Sequence, residues 1–410
     1  MRESQKRLAV ITLGCKTNQY DSFALISQIK SYGYEISSAR DSHIAIVNSC
    51  AVTGRASAQT RQEIRKIKRE NAFATILVTG CYAQACPDEL RAMPEIDLIV
   101  GNSLKEKIGE IIEDCLTGVF VDGAYSLSPF LYGDPPEPEG RSRALLKIQD
   151  GCNQFCSYCI VPFTRGRPQS LPKDKVIPRL KTIEQRGYKE TILTGINLAA
   201  YGIDQSPPYS LFDLLNLMER EGISQRIRLS SLEPHLIDER LLDFIISSRI
   251  CARHLHLSIQ SGDNEILKRM GRPYTRDFIK DMISFSRKRD PLLSFGADII
   301  VGFPGEGEKE FRNTLSLLED LDISYLHIFP FSPRPLTEAY NFKDSVKPSE
   351  TRRRLETLKS LDQKKRRDFA LRMLNKNLPC VILEKTSLNG IKRAITTNYL
   401  YVQVEDKDYL

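Results

Sequence analysis

The 410-residue sequence has no run of about eighteen apolar residues, so no segment reads as a membrane span. Its start, MRESQKRLAV, lacks the apolar stretch of a secretory signal. A cytoplasmic protein is expected. No internal repeat recurs. Histidine is scarce, five in all; His235, His254, His256 and His327 lie at or near strand-like runs and read as core or rim residues rather than ligands. Without an export signal, the ten cysteines do not read as a disulfide framework. In a reducing compartment they favour metal binding or redox chemistry.

One more absence is local. QDGCNQFCSYCIVPFTRGR, Gln149 to Arg167, spaces Cys152, Cys156 and Cys159 as C-x3-C-x2-C, and no Cys or His follows until His235. Structural zinc usually takes four protein ligands, so this set is a poor zinc site. A four-iron cluster suits soft thiolates, and three of them leave one iron open to a small chelating molecule. Three further cysteines each close a strand-like run: Cys15 in TLGCKTNQYDS, Cys50 in VNSCAVTGRA and Cys81 in VTGCYAQ. Singly each reads as a buried core thiol. Jointly they argue for a second metal site, because adjacent parallel strands bring their C-terminal ends to one edge. Cys86, Cys115, Cys251 and Cys380 read as bystanders.

What is present reads as α/β. RLAVITLG, HIAIVNSC, ATILVTGC and EIDLIVG are strand-like and alternate with amphipathic stretches, which predicts a parallel sheet covered by helices over residues 1–117. Residues 118–140 read as a linker, and YGDPPEPEGRSR, Tyr132 to Arg143, runs across its end. Strand-like ALLKIQD, ETILTG, RIRLSS, RHLHLSIQ, FGADIIVG and SYLHIFPF then predict six βα units over 141–345, fewer than a full barrel needs. In such folds the C-terminal ends of the strands carry chemistry, and the three-cysteine stretch follows the first strand. Residues 346–376 predict a basic helix: Ser349 to Lys376 holds ten Lys or Arg against four Asp or Glu. With the net charge of +7, this face is either solvated or a contact for an RNA backbone. Residues 377–410 alternate like a small antiparallel β module.

The C-x3-C-x2-C spacing after a first barrel strand resembles the radical S-adenosylmethionine superfamily. With the upstream cysteines, the segments GCKTNQYDS, TGCYAQ, KIQDGCNQFCSYCIVPFTRGR, TGINLAAYG, RLSSLEP, HLHLSIQSGDNEILKRMGRPYT and IVGFPGE resemble its methylthiotransferase family over nearly the whole chain. The resemblance implies two [4Fe-4S] clusters, one on Cys15, Cys50 and Cys81 and one on Cys152, Cys156 and Cys159, with S-adenosylmethionine on the open iron of the latter. It implies a radical barrel, with Tyr158 near the adenine, and a C-terminal TRAM module that binds RNA. The chain stops at Leu410, where family members usually continue, so an incomplete TRAM module is expected.

Lys16, Thr17, Asn18 and Gln19 after Cys15 differ from the GCQMN of the isopentenyladenosine group and the GCPKN of the group that modifies a ribosomal protein aspartate. They look most like the threonylcarbamoyladenosine methylthiotransferases. The implied reaction places sulfur and a methyl group at C2 of N6-threonylcarbamoyladenosine 37 in the tRNA anticodon loop. A reductant protein such as flavodoxin or ferredoxin and a monomeric state are expected with it. The alternatives are the isopentenyl substrate and the ribosomal protein. A non-catalytic iron–sulfur sensor would not need six cysteines in two open sets plus a barrel.

Cofactor contacts are expected from Gly195 and Asn197, although the loop has Ile196-Asn197 where many radical enzymes carry Glu. By barrel logic Ser258 and Gln260 face the site or else form a satisfied buried polar pair, and Asp298 is expected to border the cofactor's adenosine. Arg165 and Arg167 are expected to meet either the cofactor carboxylate or RNA phosphate. Lys392 and Arg393 are candidate phosphate contacts, and Tyr399 is either a stacking group for RNA or core.

Overall fold

A computed structural model describes residues 6–114, 117–123, 130–133, 142–383 and 390–405. The chain groups into two compact units. The first is Met1–Pro136 with Asp150–Gln169 and Ser332–Asn341; the second is Glu137–Gln149, Ser170–Phe331 and Phe342–Leu410. The Cys152 segment therefore packs with the N-terminal residues, although it follows the first barrel strand in sequence.

The first unit is built on a parallel sheet of six strands in the order Glu35–Ile36, Arg7–Thr12, Ile44–Ser49, Thr75–Gly80, Leu98–Val100 and Gly118–Phe120. The last of these opens the expected linker at 118 but serves as an edge strand. Side chains alternate between two cores, as a strand period of two requires. Val47, Ile76 and Val78 meet Ile64 and Ile67 of helix Gly54–Glu70 on one face. Leu8, Ile46 and Leu77 meet Ala24, Leu25 and Ile29 of helix Lys16–Lys30 on the other. Strand Ile44–Ser49 is buried throughout, which is why HIAIVNSC reads as one apolar run. Pairing stays in step to the strand ends: Thr12 faces Asn48, Asn48 faces Thr79, and Ser49 faces Gly80. Cys15, Cys50 and Cys81 follow those three ends.

The second unit carries the six expected barrel strands, the third of them in two pieces, Arg226–Leu229 and Ser231–Leu232. Arg143–Lys147, Glu190–Thr194 and Arg226–Leu229 pair in parallel. Ser231–Leu232, His254–Gln260, Ser294–Val301 and Tyr325–Pro330 continue the series, linked by a parallel bridge between Ile227 and Cys251. At the strand starts the Glu190 carboxylate, 0% exposed, takes Arg143 at 2.7 Å, Arg226 at 2.5 Å and Arg228 at 3.0 Å. The basic helix spans Pro348–Arg372 and is anchored by Leu358, Phe369 and a buried Arg354–Glu306 ion pair of 2.9 Å.

The C-terminal module is three antiparallel strands, Cys380–Ile382, Ile391–Thr396 and Tyr401–Glu405. The turn between the last two lies against the barrel floor. Arg228 donates to the carbonyls of Thr396 and Thr397, and Arg226 to that of Ile395. Tyr399, at φ +73°, stacks on His254 with ring centroids 4.3 Å apart and lies under the Arg228 guanidinium. Its ring is thus turned inward and not offered to a base.

Burial alone would raise the Glu190 carboxyl, but Arg228, then Arg226 and Arg143, outweigh it and hold it at about 2 against 4.5. That shift corresponds to about 3 kcal/mol of stability above the ordinary carboxylate pKa, lost as pH falls from there through about 2. Glu190→Gln is therefore expected to lower urea-unfolding stability of the metal-free protein by about 3 kcal/mol at pH 7, with the deficit shrinking as pH falls toward 2. A deficit independent of pH would contradict this origin.

Candidate functional site

Two glycines let the three cysteine loops of the first unit converge. Gly14 has φ +98°, and a Cβ there would stand 2.7 Å from Cys50 Cβ and 2.9 Å from its Sγ. Gly80 has φ +96°, and its Cβ would stand 2.4 Å from the Ser49 carbonyl oxygen. No other residue tolerates both the conformation and the approach. Cys15 is the N-terminal cap of helix Lys16–Lys30 and is exposed, whereas Cys50 and Cys81 are buried. Burial, then the neighbouring Cys81, pushes the Cys50 thiol up to about 12. A bound cation reverses that cost, since coordination deprotonates a thiol outright.

The donors suit a cluster better than one ion. A tetrahedral zinc holds its sulfurs about 4 Å apart. Among the described residues, the three side chains of metal-binding type whose ligand atoms lie within 4.8 Å of one another are His256, Asp298 and His327, not cysteines.

In the same unit, the loop of Cys152, Cys156 and Cys159 is closed by Cys152 N–H donating to Gly166 O and Cys159 N–H to Cys156 O. The Cys152 sulfur accepts from Gln154 N–H at 3.5 Å. Gly151, at φ +68°, lets the loop pass against the Arg167 carbonyl. Tyr158 is half-buried and Arg167 is exposed.

Arg165 is 3% exposed and lies beyond the reach of an RNA phosphate. One terminal nitrogen binds both Asp150 oxygens at 2.9 and 3.0 Å, and the other binds Asp21 at 3.1 Å and the Asn18 side-chain oxygen. Lys105, also buried, completes the group on Asp21 at 3.1 Å. Asn18 in turn donates to the carbonyls of Leu13 and Ser49, just before Cys15 and Cys50. Asn102 donates to the Thr164 carbonyl at 2.6 Å and lies 3.8 Å from the Cys81 sulfur. One polar scaffold therefore ties the Cys152 segment to all three upstream cysteine loops.

The second unit presents the barrel candidates. A Cβ on Gly195 would stand 2.8 Å from Gln149 Cβ, and the Gln149 side-chain oxygen accepts the Asn197 N–H at 2.7 Å. Asn197 Oδ1 is buried and has no partner among the described residues, an acceptor suited to an ammonium such as that of an amino-acid cofactor. Gln260 has φ +67° where the pairing register slips after Leu257, a bulge that re-aims its side chain. Ser258 is buried, and its carbonyl is held by Arg272 and Tyr274. Asp298 accepts from His256 at 2.8 Å and lies 3.4 Å from His327. Burial raises its carboxyl, but His256 and His327 outweigh this and hold it at about 2, so it is an anion at neutral pH. Tyr325 links His254 and His256 at 2.8 and 2.9 Å. On the C-terminal module Lys392 is half-buried and Arg393 exposed.

Asn18, Asp21, Lys105, Asn102 and Gln149 escape sequence reasoning. The one available signal is the i, i+3 spacing of Asn18 and Asp21, which puts both on one helix face after Cys15. Of the bystander thiols, Cys86 and Cys251 are buried and Cys380 is exposed, while Cys115 lies outside the described residues.

Residues 7–101 match the model of uncharacterized protein family UPF0004, and residues 146–318 that of the radical SAM superfamily. The superfamily implies S-adenosylmethionine and a [4Fe-4S] cluster. The chain is 38% identical over 405 residues to the threonylcarbamoyladenosine tRNA methylthiotransferase MtaB of Aquifex aeolicus, covering 97% of both chains. It is 36% identical to the protein of the same name in Bacillus subtilis, covering 96% of this chain and 89% of that one. With the tRNA-2-methylthio-N(6)-dimethylallyladenosine synthase of Halalkalibacterium halodurans it shares 32% identity, over 87% of this chain and 68% of that one. A solved radical S-adenosylmethionine methyltransferase, TsrM from Kitasatospora setae, shares the fold at TM-score 0.60 and 17% identity, covering 82% of this chain and 77% of that one.

Gly14→Ala is expected to force the Cys15 and Cys50 loops apart and lower the iron bound after anaerobic reconstitution. Gly33→Ala, at φ +81° with nothing within 4 Å, carries similar backbone strain and is the control expected to keep its iron.

Proposed function

The chain belongs to the methylthiotransferase family of the radical S-adenosylmethionine superfamily, and from that premise we propose that it methylthiolates C2 of N6-threonylcarbamoyladenosine 37 in tRNA. The observation that carries the reading is the gathering of Cys15, Cys50 and Cys81 at one sheet edge by Gly14 and Gly80, a second thiol set that a plain radical barrel does not need. The two relatives named for this substrate above match at 38% and 36%, against 32% for the one named for the dimethylallyl substrate.

Cys152, Cys156 and Cys159 would hold the radical cluster, and Cys15, Cys50 and Cys81 a second one. When bound, the first cluster with S-adenosylmethionine supplies a radical able to remove the non-acidic C2 hydrogen, and the second supplies sulfur. The chain's own residues position and exclude water. Asn197 offers its unpartnered oxygen to the cofactor ammonium, and Gly195 keeps that loop close to Gln149. Gln260 and Ser258 shape the strand end, Asp298 presents a fixed anion to the cofactor's adenosine, and Tyr158 packs near its adenine. Arg167, Lys392 and Arg393 serve RNA phosphates, helped by exposed Arg352, Lys359, Lys364 and Arg367 of helix Pro348–Arg372.

Among the described residues no helix is long and apolar enough to cross a membrane. Action in the cytoplasm as a monomer, with a flavodoxin- or ferredoxin-like reductant, completes the proposal.

Mass analysis of tRNA nucleosides from cells with and without the gene tests the substrate. Loss of 2-methylthio-N6-threonylcarbamoyladenosine is expected; loss of the isopentenyl form alone would move the reading to that sister group. Iron counting tests the clusters: about eight irons per chain are expected, falling by about four in Cys152→Ala.

A further inference from the structure

Arg165 carries more hydrogen-bonding capacity than its carboxylates use. Both terminal nitrogens are engaged, by Asp150 on one side and by Asp21 and Asn18 on the other. Its Nε–H is buried and has no acceptor among the described residues. A buried donor left unmade costs about 1–3 kcal/mol, more when charged, so such a group points to an unrecorded partner. The surroundings say what kind of partner. The thiols of Cys81 and Cys15 are among the groups whose charge acts on this guanidinium. Asn18 joins Arg165 to the carbonyls that precede Cys15 and Cys50, and Asn102 joins Cys81 to Thr164, the residue before Arg165. The charges of Arg165 and Lys105 are already matched by Asp21 and Asp150, so the position does not need another carboxylate. What the Arg165 Nε–H lacks is an acceptor, and a sulfide or thiolate sulfur would supply one without adding a third carboxylate.

We propose that Arg165 donates its Nε–H to the sulfur-bearing group held by Cys15, Cys50 and Cys81, and so orients and electrostatically tunes that group. This rests on the reading that a second cluster binds there. Arg suits the task because its planar fork satisfies two carboxylates while its Nε–H faces another way, which a Lys ammonium cannot reproduce. A donor and a positive charge beside cluster sulfur raise its reduction potential.

The test uses the full chain carrying Cys152→Ala, Cys156→Ala and Cys159→Ala, reconstituted anaerobically with iron and sulfide so that only the second set can load. Arg165→Lys and Arg165→Gln are added separately, and Lys105→Gln disturbs the same buried network through Asp21 as a control. Potentiometric titration and exchangeable-proton hyperfine coupling of the reduced cluster are measured at matched iron content. Arg165→Gln is expected to shift the potential to a more negative value and to lose the coupling. Arg165→Lys, which keeps the charge, is expected to shift less but to lose the coupling as well, and it carries the test if the Gln variant does not fold. Lys105→Gln is expected to keep both. An unmoved potential and retained coupling in an iron-loaded Arg165 variant overturn the proposal alone. Equal loss in Lys105→Gln overturns it in favour of a structural role. No iron with Arg165 intact overturns the second-cluster reading and the proposal together.

Discussion

The first unit depends on a buried ion network centred on one guanidinium. Arg165 is joined to Asp150 and Asp21, and Asp21 to Lys105, with every member buried. Two positive and two negative charges balance there, so each charge has a partner in a region water does not reach. Removing one partner of such a set leaves an uncompensated charge, typically at a cost of about 3–5 kcal/mol. The network holds segment Asp150–Gln169 against helix Lys16–Lys30 and the sheet edge, and this fixes where two sets of thiols stand within one compact unit.

The second unit repeats the device with different chemistry. Glu190 gathers three arginines at the start of the barrel strands, and two of those arginines reach on to the backbone of the C-terminal turn. The polar floor is thereby closed by Tyr399 and its neighbours, which leaves the strand C-terminal ends as the place for chemistry. A module whose family resemblance suggests RNA binding thus also serves as part of the barrel's core. That is why Tyr399 faces His254 while Lys392 and Arg393 lie on a strand further from the turn.

The strands were legible because parallel sheets buried on both faces write continuous apolar runs, as in HIAIVNSC and FGADIIVG. The position of Cys15, Cys50 and Cys81 after strand ends was legible because each closes a strand-like run. The edge strand Gly118–Phe120 was not, since three residues beside a Pro- and Gly-rich stretch carry too little periodicity. The burial of Arg165 was not either. Arg165 and Arg167, one residue apart, look like a surface pair, and it takes Asp21, 144 positions away, together with Asp150 to make burial tolerable.

The sequence by itself determined the order of the main strands and helices and the family, because each rests on local pattern or on motif spacing. Tertiary structure decided which charges are spent inside and which stay at the surface. Arg165 is consumed by carboxylates and Tyr399 by a histidine, while Arg167 stays exposed two residues from Arg165. The reason is physical: the free energy of a charge is set by what long-range packing places within a few ångströms of it, and a linear sequence does not record that distance.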